Sequence, residues 1–97
     1  LPEFPSIERD ISFIVPEVVT YAQIESGVLT SKVNWLEGCG FVGTYRGKQI
    51  GAGKKSVTLR LVFRDPGRTL RHEEVDAPAG AVIMHLKSAV GAEVREA

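Results

Sequence analysis

Ser56-Val57-Thr58-Leu59-Arg60-Leu61-Val62-Phe63 alternates without a break, with Val57, Leu59, Leu61 and Phe63 on one side and Ser56, Thr58, Arg60 and Val62 on the other. That period of two is what a strand with one buried face requires. Before it, Gly47 to Lys54 carries Gly47, Gly51 and Gly53 and predicts a turn between strands; after it, Asp65-Pro66-Gly67 predicts another. Ile7 to Val15 shows the same alternation, Ile11, Phe13 and Val15 against Asp10, Ser12 and Ile14, and Pro16 ends it. Phe41 to Arg46 is a further strand, with Cys39 as its earliest start; Gly38, Gly40 and Gly43 point to a bulge or an edge.

Helices fill the gaps. Thr20 followed by Gln23 forms a capping box, and Tyr21, Ile24 and Val28 then share a face, which predicts a helix from Tyr21 to Val33. A second helix falls between His72 and Val90. Pro78 interrupts it, so either a kink or a short first turn and a fresh start near Asp76, a plausible cap, is expected. Gly91 stops it, and Ala92 to Arg95 is a short last strand. The order is that of an α+β, ferredoxin-like β-α-β-β-α-β fold: a four-stranded antiparallel sheet with two helices on one face and the other face open. Ile11, Phe13, Val15, Val57, Leu59, Leu61 and Phe63 then face the helices. Ser12, Gly43, Tyr45, Ser56, Thr58 and Arg60 share the exposed side.

With 97 residues, 43% hydrophobic and 25% charged, the chain has the size and composition of one globular domain, residues 1–97. It begins at Leu1 with no leader, and the expectation is a piece excised from something longer. Cys39 is the only cysteine, which excludes an internal disulfide and a cysteine zinc cluster and favours a reducing, cytoplasmic setting. Apolar runs such as Ile11 to Pro16, broken by Ser12, fall far short of the ~20 residues that cross a bilayer. The formal net charge is zero, but Gly38 to Arg64 holds Arg46, Lys48, Lys54, Lys55, Arg60 and Arg64 and no acid. Such a stretch is either a solvated, charged face or a contact surface for phosphate.

Catalysis finds little support. His72 and His85 are not spaced to share a helix face near a carboxylate pair, and Glu73, Glu74 and Asp76 suit the positive end of a helix without any metal. Gly51 to Ser56 (GAGKKS) is not a phosphate loop: Lys48 stands where the leading glycine belongs and a strand follows. Tyr45 is more telling, since an aromatic on an open sheet face, flanked by Arg46 and Lys48, can stack on an unpaired base. Shielding of neighbouring strands is the competing role. Ser12, Ser56 and Thr58 add hydroxyls, and Lys54, Lys55 and Arg60 add charge, to what is expected to be one surface. Roughly three to five of these cations would meet phosphate.

LPEFPSIERDISFIV, then YRGKQIGAGKKSVTLRLVFRDPGRTL with EEV shortly after, resembles the ferredoxin-fold anticodon-binding domain at the C-terminus of the β subunit of bacterial phenylalanyl-tRNA synthetase. The runs F-P-x-x-x-R-D, Y-x-G, G-K-K-S and F-R-x-P-x-R-T-L carry the resemblance, which covers essentially the whole chain. It implies a non-catalytic module of an ATP-dependent ligase that holds the anticodon stem-loop of tRNA(Phe). Activation with ATP and Mg belongs to other domains, no cofactor to this one. The partners implied are the tRNA, the rest of the β subunit and the α subunit, with neither membrane nor DNA. The family's base-contacting positions fall here on Ser12, Gly43, Tyr45 and Ser56. Three departures stand out. Gly43 replaces an aspartate, Arg71 a helix-capping threonine, and Pro78 lies inside the second helix. The competing expectation is a small-molecule regulatory or protein-interaction domain of the same fold. A stand-alone acylphosphatase would need an anion-cradling loop that Pro16 to Thr20 does not supply.

Overall fold

The computed structural model describes residues 4–94. The alternating stretch lies in β3 (Lys54–Phe63), which pairs antiparallel with β1 (Ile7–Pro16) on one side and β2 (Leu36–Tyr45) on the other. A short β4 (Glu93–Val94) joins β1, so the sheet order is β2-β3-β1-β4 and β2 is an outer strand. The helices α1 (Tyr21–Thr30) and α2 (Asp76–Val90), the latter preceded by a 3-10 turn at His72–Val75, complete the β-α-β-β-α-β order.

The core lies between one sheet face and the helices. Phe13, Val15, Val57, Leu59, Leu61 and Phe63 meet Ile24 and Val28 of α1 and Val82 and Leu86 of α2, all essentially excluded from solvent, with Ile11 packed at the margin. Burial on this scale contributes ~1.5–3 kcal/mol for each large aliphatic or aromatic side chain. Close packing of the two helices depends on Gly27, where a methyl carbon would stand 2.9 Å from Leu86 Cδ2.

Several boundaries differ from the sequence expectation. β2 begins at Leu36, earlier than Cys39, because Gly38 and Gly40 occupy ladder positions opposite Val62 and Arg60 and neither interrupts the pairing. Its end is Tyr45, one residue before Arg46. The capping box forms, Gln23 N–H donating to Thr20 Oγ1 and Thr20 N–H to Gln23 Oε1, but α1 stops at Thr30 rather than Val33. There the hydroxyl and the N–H of Ser31 both turn back to the Val28 carbonyl, and Lys32 takes a left-handed φ of 52°. Pro78 is the third residue of α2, within the first turn, where a missing N–H loses no partner. Asp76 does not cap: Val75 is the N-cap and makes no side-chain bond, while the Asp76 carboxylate accepts from Arg9. Arg71, at the threonine position, makes no cap bond either and pairs with Glu74. Gly91 stops α2, as expected, with a left-handed φ of 71°; the last strand starts at Glu93 rather than Ala92, and Arg95 lies outside the described residues.

Candidate nucleic-acid interface

Pairing fixes which side chains share the uncovered face. Opposed residues in a ladder point the same way, so Tyr45, Ser56 and Ile14 form one row, Gly43, Thr58 and Ser12 the next, Gly40, Arg60 and Asp10 the third, and Gly38, Val62 and Glu8 the fourth. Bulges between Leu36 and Gly38 and between Phe41 and Gly43 absorb Glu37 and Val42, and they bring all three glycines of β2 onto this face. A methyl carbon built on Gly38, Gly40 or Gly43 would meet nothing within 4 Å, so the three β2 positions in register with this face before Tyr45 carry no side chain.

Tyr45 is 43% exposed at the end of that strip. Its hydroxyl accepts from Gln49 Nε2 at 2.7 Å, and the turn that follows folds Gly47 against the phenol. Ser12 and Thr58 join hydroxyl to hydroxyl at 2.6 Å, half-buried at the centre of the face. Gly43 has no positive φ and sits directly opposite Thr58, so its lack of a side chain is not a backbone requirement.

Four of the expected surface residues are buried, turned away or held by an acid. Ser56 is on the open side by alternation but only 1% exposed, a small hydroxyl sunk between its larger register partners Ile14 and Tyr45. Lys55 points to the helix side, opposite Val15, and its side chain is 14% exposed. Arg46, just past the end of β2, is paired through Nε and Nη2 with the Glu17 carboxylate, which also lies 3.4 Å from Lys55 Nζ. The Arg46 guanidinium, with Lys55 adding to it, holds the Glu17 carboxyl well below its ordinary value, at about 2. Arg60 is on the open face as expected, but its Nε and Nη2 donate to Asp10 at 2.8 and 3.1 Å, which lowers the Asp10 pKa.

The positive stretch is therefore largely neutralised by acids from elsewhere in the chain, Arg64 included through Glu37. Lys48 and Lys54, both exposed, are the cations of that stretch with no acidic partner among the described residues. Asp10, Glu17, Gln49 and Gly47 are the contributors that sequence reasoning passed over. The tyrosine-x-glycine spacing was the available signal for Gly47.

Among the described residues no group of three or more His, Cys, Asp or Glu could hold a metal, and no helix is long and apolar enough to cross a membrane. His85 meets Thr30 at 3.2 Å, and His72 is far along the chain from it, in the 3-10 turn. What the face offers is one exposed ring, paired hydroxyls, a planar ion pair and bare glycine backbone. That inventory suits flat, polar-edged ligands.

The family model of the ferredoxin-fold anticodon binding domain matches residues 2–95. Similar proteins include the phenylalanine–tRNA ligase beta subunits of Halalkalibacterium halodurans, 39% identical over 95 residues, and Clostridium acetobutylicum, 38% identical over 95 residues. That of Anaeromyxobacter dehalogenans is 34% identical over 95 residues. Each alignment covers 98% of this chain but 12% of the relative, so the chain spans about an eighth of the proteins it matches.

Proposed function

Because the chain belongs to the ferredoxin-fold anticodon binding domain family, we propose that it is the tRNA-holding domain of a phenylalanine–tRNA ligase beta subunit, cut from a longer chain, and that its open sheet face takes the anticodon stem-loop of tRNA(Phe). The observation that carries this reading is Tyr45, an exposed aromatic at the end of a strip whose registered β2 positions are glycines, held in place by Gln49 and Gly47. A single-stranded base can lie on that ring while its neighbours follow the strip.

Of the four base positions implied by the resemblance, Tyr45 and Ser12 offer side chains to a ligand. Gly43 offers backbone, and Ser56 acts as the floor beneath Tyr45. Thr58 works through its bond to Ser12. Lys54 and Lys48 supply the phosphate contacts, with Arg46, Lys55 and Arg60 held back by their acids. The domain by itself activates nothing. Aminoacylation with ATP and Mg, and assembly with the α subunit, belong to the parent ligase in the cytoplasm.

The test is a titration of the chain with labelled anticodon stem-loops. Preferential binding of the tRNA(Phe) loop, lost in Tyr45→Ala, is expected. Equal binding of all loops by wild type and variant would defeat the reading and favour a small-molecule or protein-interaction role.

A further inference from the structure

Successive rows on the open face are two residues apart, hence ~7 Å along the strands. Tyr45 stands in the first row, the Ser12–Thr58 hydroxyl pair in the second and the Asp10–Arg60 ion pair in the third. Resting on the RNA reading above, we infer that the Asp10–Arg60 pair is a second base platform, two rows from Tyr45, on which an unpaired nucleobase lies flat, Arg60 serving as a planar surface and not as a phosphate ligand.

Two parallel hydrogen bonds hold the guanidinium and the carboxylate in one plane and fix a side chain that is otherwise freely rotating. Both members stay open to solvent, at 46% and 45% side-chain exposure. On the β2 side the register partner of Arg60 is Gly40, with nothing within 4 Å of where its methyl carbon would be, so the space beside the pair is vacant. A guanidinium plane is a known stacking surface for bases in single-stranded RNA.

The local charge speaks against phosphate. Glu8 lies one row further on the same face and acts electrostatically on Arg60 together with Asp10. Two carboxylates around one guanidinium leave this end of the face net negative, which repels a phosphate and leaves a neutral base indifferent. Spacing agrees as well. Two rows of ~7 Å put the platforms ~14 Å apart, about four times the ~3.4 Å rise of stacked bases, so bases laid on them are splayed from one another, the form in which single strands are recognised.

The experiment uses the chain and stem-loops carrying 2-aminopurine singly at each loop position, whose fluorescence is quenched by stacking. Arg60→Lys keeps the charge and removes the plane. It is expected to weaken binding about fivefold or more, to leave the salt dependence unchanged, and to relieve quenching at one loop position while the base on Tyr45 stays quenched. Asp10→Asn unlocks the plane and is expected to weaken binding. A phosphate-bound Arg60 would instead give tighter binding and a salt slope steeper by about 0.7. Gly40→Val fills the vacant space while leaving both members of the pair in the sequence, and is expected to lower affinity at unchanged thermal stability; this variant decides the matter should either of the others fail to fold. Wild-type affinity in Arg60→Lys or Gly40→Val, or tighter binding in Asp10→Asn, overturns the inference while leaving the Tyr45 dependence standing. Loss of all quenching in the wild-type complex removes the RNA reading together with it.

Discussion

The phenol of Tyr45 rests against the backbone of Gly47: a methyl carbon on Gly47 would stand 2.8 Å from Tyr45 Oη and 3.1 Å from Cζ. Gly47 has no positive φ, so the glycine is needed for the ring above it and not for its own conformation. A contact of 2.8 Å to the hydroxyl of a rigid phenol means that the side chain must turn.

Gly47→Ala is therefore expected to leave thermal unfolding near wild type and to weaken stem-loop binding by a large part of the loss seen in Tyr45→Ala, itself about 1–3 kcal/mol. Paired titrations and melts of the two variants check this. Full binding by Gly47→Ala would show that the ring accommodates the methyl group without leaving its stacking position.

Gly43→Asp is expected to fold stably, since the position has open space and ordinary φ. A carboxylate there sits beside the Ser12–Thr58 pair and offers acceptors to a base edge, adding discrimination of up to about 1.5–3 kcal/mol against a wrong base. Titration across stem-loops substituted at each anticodon position measures it. Unchanged base preference in a folded variant would remove position 43 from the base-reading set.

With Lys48 and Lys54 as the cations of the Gly38 to Arg64 stretch that have no acidic partner among the described residues, log affinity should fall against log salt with a slope near −1.4, about −0.7 for each phosphate neutralised. Each of Lys48→Glu and Lys54→Glu should flatten that slope and weaken binding to every loop sequence alike. Lys55→Glu, on the helix side, should change binding little. A slope of −3 or steeper would mean that RNA strips Arg46, Lys55 and Arg60 from their acids.

Acid should destabilise the fold through Glu17. Its carboxyl is held at about 2 in the folded chain by Arg46, below its ordinary 4.5, so the stabilisation is complete above pH ~5 and is lost as pH falls toward ~2. Asp10 and Glu74, lowered by Arg60 and by Arg68 respectively, add in the same direction. Urea midpoints measured from pH 7 to pH 2 should decline across that window, and less steeply in Glu17→Gln. An identical acid slope in wild type and Glu17→Gln would assign the effect to the other carboxylates.

Strand existence and the burial of one face were legible because each rests on local periodicity, as in Ser56 to Phe63. Glycine misled the reading of β2: Gly38 and Gly40 have poor strand propensity, yet the central strand β3 supplies their ladder and overrides it. Charge misled the reading of the surface. Gly38 to Arg64 contains no acid, but Glu17 reaches Arg46 from 29 residues away and Asp10 reaches Arg60 from 50. Those partners are created by register, which spacing along the chain does not encode. Ser56 shows the same gap between direction and access, since alternation fixes the side it faces and the size of its neighbours decides whether anything can touch it.

The two bulges of β2 have a consequence beyond the face they shape. β2 borders the sheet, and the outward-facing N–H and C=O groups of alternate residues along it, with Phe41 and Val42 more than 45% exposed, would form a template for a strand of another molecule. Each bulge breaks the even spacing of those groups and twists the strand, so no incoming straight strand can match more than the few residues between Gly38 and Phe41. The domain is thereby kept from polymerising through its own border.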